Sequence, residues 1–116
     1  MLGLENHDFV TDLTRLLTIL NRLESRWLGV TWDSANLAPT PDPYMELERI
    51  APYAVVAQVK VMTHVNGKAV PADYARLVSI LRKGNYRGYL IFEYEEEEDP
   101  YTAIPKHLPE LRKLIS

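Results

Sequence analysis

What most limits the folds open to this chain is a fourfold alternation of strand-like and helix-like sequence. "LGLEN", "WLGVTWD", "YAVVAQVKVM" and "YLIFEYE" are short apolar runs, which predict strands near residues 2–6, 27–33, 53–62 and 89–95. Between the first two, Val10, Leu13, Leu16, Leu17 and Leu20 recur every three or four residues, the spacing of one helix face. "YMELERI" predicts a short helix stopped by Pro52, and Tyr74, Leu77, Val78 and Leu81 form the apolar stripe of a third helix. A last helix is expected near residues 101–115, with Pro105 and Pro109 placed to break it early. Strands that alternate with helices are joined by parallel crossovers. Four units in 116 residues give about 29 residues each, close to the roughly 31 per unit of a ~250-residue (β/α)8 barrel. The expected fold is α/β: one domain over residues 1–116 with a parallel sheet, half of a barrel.

The boundaries follow from local chemistry. Thr11 or Asp8 is positioned to cap the first helix, and Pro71 suits the first turn of the third. "SANLAPTPDP", with three prolines, reads as an ordered irregular loop, and "THVNGKAVP" as a loop that turns at Asn66-Gly67.

Composition narrows the function classes. A net charge of -3 gives no basic footprint, so nucleic acid is not the expected partner. The chain has no cysteine, which removes disulfides, thiolate metal sites and cysteine nucleophiles together. No apolar run approaches the ~20 residues that span a bilayer, and "MLGLENHDF" lacks the basic and apolar regions of a signal sequence, so none is expected. A cytoplasmic protein with no membrane partner is the expectation.

Side chains alternate across a strand. Glu93 therefore shares a face with Tyr89, Ile91 and Glu95, against Leu90, Phe92 and Tyr94. Asp33 goes with Gly29 and Thr31, and Glu5 with Gly3 and His7. Gln58 goes with Val56, Lys60 and Met62, against Val55, Ala57, Val59 and Val61. One face is nearly all apolar; the other carries small residues early and polar ones late. Glu5, Asp33, Gln58 or Lys60, and Glu93 thus fall near the C-terminal ends of four strands on one face, where barrel enzymes hold their chemistry. Crowded carboxylates stay ionised beside a cation; otherwise one takes up a proton. An oxygen-rich set suits a hard divalent ion. Any one of these acids alone would read as a solvated loop residue or a helix cap. Their recurrence at one structural phase in three units favours a shared site. Glu95 to Asp99 are expected to form a solvated run that favours the last helix N-terminus. His107 is expected at the surface, and Trp27 and Trp32 in packing roles.

Taken together, "LGLENH", "LGVTWDSANL", "YAVVAQVKV" and "GNYRGYLIFEYEEEEDP" resemble the last four units of the xylose isomerase-like TIM barrels. That family of sugar phosphate isomerases and epimerases includes relatives of tagatose 3-epimerase and endonuclease IV. The resemblance covers nearly the whole chain but only half of the family's barrel. It implies a divalent metal (Mn, Mg or Co, with Zn less suited) held by Glu5, Asp33, the residue at position 58, and Glu93. The family has histidine at the third of these places, where this chain has Gln58, a neutral and weaker donor. The resemblance also makes Glu5 and Glu93 the catalytic acid–base pair, and His7, Asn36, Lys60 and His64 candidate contacts for a sugar or sugar phosphate. A non-catalytic half-barrel that binds a sugar or protein, and a metal-dependent hydrolase of the endonuclease type, are the other readings; few histidines and an acidic balance weigh against the last. A four-stranded parallel sheet leaves two edges open, so a homodimer or a larger homo-oligomer, or a missing first half, is expected to complete it.

Overall fold

The computed structural model describes residues 1–116. In chain order the elements are β1 (Leu2–Glu5), α1 (Leu13–Leu23), β2 (Leu28–Asp33), α2 (Pro43–Ile50), β3 (Ala54–Lys60), β4 (Met62–Val65), β5 (Lys68–Pro71), α3 (Tyr74–Lys83), β6 (Leu90–Glu93) and α4 (Pro100–Ile115). Strands β1, β2, β3 and β6 form one parallel sheet in that order, the arrangement of a partial barrel. No helix is long and apolar enough to cross a membrane.

The helices pack on one face of this sheet, where they bury Leu16, Val30, Trp32, Leu47, Val59 and Leu77 in a single core. Trp32 is fully buried and its indole donates to the Leu47 carbonyl, so the polar end of the largest core side chain is satisfied. Each helix starts on an aspartate. Asp12, Asp42, Asp73 and Asp99 accept hydrogen bonds from backbone N–H groups of the first turn. The expected cap of α1 at Thr11 or Asp8 is corrected to Asp12, because those two sit in the preceding 3-10 turn.

Four further expectations change. The segment after β3 is a hairpin of β4 and β5 rather than a loop, closed by Asn66 and Gly67 with φ of 49° and 78°. Met62 therefore belongs to β4, and Pro71 ends β5 instead of opening α3. Pro105 and Pro109 do not break α4: both are exposed, so the carbonyls they leave unpaired face water. His107 is half-buried, with Nδ1 3.2 Å from the Tyr74 hydroxyl and its ring against Phe92. Finally, the pairing of β2 with β3 shifts by one residue after Val30. The shift turns Val55 to the open face, against the simple alternation. It lies over Gly29, where an added Cβ would come within 2.4 Å of it, so only glycine leaves room there.

Candidate functional site

The face away from the helices is small-residue and apolar at its base and polar at the rim. Register fixes the rim: Asp33 pairs with Gln58, Lys60 with Glu93, and Glu5 with Thr31, two residues short of Asp33.

Asn6, one residue beyond β1, ties the first two strand ends together. It is fully buried; its amide donates to the carbonyls of Asp33 and Asn36, and its oxygen accepts from the Asp33 N–H. Asp33 then divides its carboxylate. Oδ1 accepts from the N–H groups of Ala35 and Asn36 at 2.8 and 2.9 Å and builds the turn. Oδ2 is buried without a hydrogen-bond donor and faces Lys60 at 3.5 Å. Ser34 accepts the Lys60 N–H through its hydroxyl, and Thr63 donates to the Ser34 carbonyl. The loop after β2 is thus fastened on both sides.

Lys60 is the centre of the rim. Its Nζ lies 2.7 Å from Glu95 Oε2, 3.4 Å from Asn36 Oδ1, 3.5 Å from Asp33 Oδ2 and 3.8 Å from Glu93 Oε1. Asn36 in turn donates to Glu5 Oε1 at 3.2 Å. Burial alone would depress the Lys60 pKa, but the bond to Glu95 and the charges of Asp33 and Glu93 raise it above the ordinary lysine value. Burial pushes the Glu93 carboxyl up; Lys60 opposes this, while Asp33, Glu95 and Glu5 add to it. The Glu95 carboxyl is held low, first by its bond to Lys60. Three carboxylates therefore surround one ammonium, with Glu5 joined to it through Asn36, and one of the three, Glu93, is held toward its protonated form.

Of the residues singled out in the sequence, Glu5, Asp33, Asn36, Lys60 and Glu93 are linked through these contacts. Gln58 stands beside Asp33 with its Oε1 buried and unpartnered. His7 pairs with its neighbour Asp8 at 3.0 Å. His64 is exposed on β4 and makes no hydrogen bond within the rim; alternation gives the inward place to Thr63. Glu95 is exposed, as expected of the solvated run, but it also reaches Lys60, and only the acids after it remain free of the rim. Glu95 follows Glu93 by two, a same-face signal the acidic run obscured. Asn6, Ser34 and Thr63 carried none, because short polar residues beside strands are common.

The donor set fits a hard divalent ion in kind. Glu5, Asp33, Gln58 and Glu93 offer oxygens, and three of these residues each keep a buried oxygen without a hydrogen-bond partner. Yet no three acidic or histidine side chains are placed to hold a metal ion between them; Asp33, Glu93 and Glu95 gather about the Lys60 ammonium instead.

The sequence matches the family described as "Xylose isomerase-like TIM barrel" over residues 1–114. Among solved structures, a xylose isomerase domain protein from Planctomyces limnophilus is similar, with a TM-score of 0.60 and 20% identity. The similarity covers 97% of this chain and 44% of that one, so the chain spans less than half of its structural relative. A search of curated proteins found no match.

Proposed function

The chain belongs to the xylose isomerase-like TIM barrel family, and from that premise we propose that it is the metal-bearing half of a sugar or sugar phosphate isomerase/epimerase. The reaction would be proton transfer at a carbon next to a carbonyl. The observation that supports this reading is that Asp33 and Glu93 face one point at the strand ends, the Lys60 ammonium, and that Glu5 is joined to it through Asn36.

Mg, Mn or Co held by Glu5, Asp33, Gln58 and Glu93 would polarise the substrate carbonyl. Glu93, which burial holds toward its neutral form, is suited to give and take a proton. Glu5, across the sheet, is the second carboxylate: one takes the proton from the carbon, and it returns to the adjacent carbon in isomerisation or to the opposite face in epimerisation. Asn36 offers an amide to a sugar hydroxyl, and Lys60 a positive charge to an alkoxide or phosphate. His7 extends the same rim, and His64 on the hairpin would contact only the far part of a substrate.

Gln58 favours a second reading. A neutral amide at a ligand place weakens the hold on a metal, as expected of a half-barrel that binds a sugar or protein without transforming it. Incubation with keto sugars and their phosphates in D2O, with Mn2+, separates the two. The enzymatic reading expects deuterium at the carbon beside the carbonyl, lost in Glu93→Gln; binding with no exchange would favour the second. We also propose that a second copy completes the sheet: Leu2 on edge strand β1 is 68% exposed, Tyr89 beside edge strand β6 92%, and Ile91 within it 47%. A dimer is the expected mass in solution, and a monomer at every concentration would contradict it.

A further inference from the structure

A single ammonium stands among the oxygens assigned above to a metal. The Lys60 side chain is only 10% exposed and its Nζ is within 4 Å of Asp33, Glu93 and Glu95. Asp33 has little freedom to turn away, since its Oδ1 is committed to the N–H groups of Ala35 and Asn36. Its Oδ2 is left fully buried and without a donor, as are Gln58 Oε1 and Glu93 Oε2. These oxygens are set for a cation that the ammonium answers only in part.

We propose that Lys60 is a built-in competitor for the divalent ion: in the metal-free chain its ammonium, held by Glu95, also faces Asp33 and Glu93, and it swings outward together with the exposed Glu95 side chain when a metal is held by Asp33 and Glu93. The proposal rests on the metal reading given above. Like charges a few ångströms apart in a poorly solvated pocket repel strongly, so ion and ammonium do not share the place. Lysine suits the exchange because its ammonium is a compact charge on a flexible stem. Glu95 offers it a resting place outside the ligand set: it already holds Nζ at 2.7 Å, and its own side chain is 58% exposed. Without metal the carboxylates keep a counter-charge and the rim stays assembled; with metal, the lysine is turned outward, toward the space a substrate oxygen would enter.

The test is a calorimetric titration of Mn2+ into the wild-type chain and Lys60→Gln. The variant is expected to bind Mn2+ on the order of a hundredfold more tightly. A gain below about tenfold, or a loss, overturns the competition. A second measurement needs no variant: amine labelling read by mass spectrometry should show Lys60 modified several-fold faster once Mn2+ is added, with Lys113 unchanged. Lys60 labelling that does not respond to bound Mn2+ overturns the proposal even if Lys60→Gln fails to fold. Equal Mn2+ affinity in both chains defeats the competition and leaves the metal reading standing. No Mn2+ binding by either chain defeats both.

Discussion

The two faces of the sheet are built on opposite terms. The helix-covered face is finished: Trp32, Val30, Ala57 and Val59 lie beneath the helices with almost no exposure. The open face has Gly3, Gly29 and Val55 at its base and unpaired carboxylate oxygens at its rim. Folding free energy comes from the first, through apolar burial and close packing. The second holds like charges together at some cost, which only a cation or a partner relieves. A fold supported on one face leaves the other free to carry chemistry.

Substitutions on either side sharpen that contrast. The largest effect is expected from Trp32→Ala, which should lower unfolding free energy in urea by about 4 kcal/mol through the cavity it leaves. Asn6→Ala is next, at about 2 kcal/mol, because it strands the Asp33 N–H and two carbonyls. Its particular signature is on the rim, where loosening of the β1 and β2 ends should weaken Mn2+ binding while the core packing is untouched. A loss in Asn6→Ala as large as in Trp32→Ala would break the division between faces.

The smallest effect has the opposite sign. The raised pKa of Glu93 means that its contribution is favourable below the ordinary glutamate pKa and is lost as pH rises through the raised value. Glu93→Gln should therefore be more stable than wild type at neutral pH, by about 0.5 kcal/mol, with the gain vanishing in acid. Thermal melts across pH read this directly. An advantage that grows as pH falls would contradict the assignment of Glu93 as a destabilised carboxylate.

The covered face was legible in the sequence because its signals repeat. Leucine spacing and alternating strands are enforced along whole elements by burial, so the four units and their parallel order emerge from period alone. Local events were less visible. The one-residue shift that turns Val55 outward is set by packing against Gly29, and the hairpin of β4 and β5 by turn residues that a loop would also use. On the open face, Glu5, Asp33 and Glu93 could be found by their phase, whereas the hub position of Lys60 depends on how far a long side chain reaches. Glu95 was hidden by its neighbours in the acidic run. Asn6 was invisible because its role consists of backbone contacts across 27 and 30 residues.

The gathering of the strand ends on Lys60 is tested most directly by a double-mutant cycle of Lys60→Met and Asp33→Asn, followed by equilibrium unfolding in urea. The two changes are expected to be non-additive by about 1–3 kcal/mol, since each removes the partner the other would leave buried and uncompensated. Losses that sum to within about 0.3 kcal/mol of the double variant would mean the two groups do not meet, and the site described at the rim would not exist.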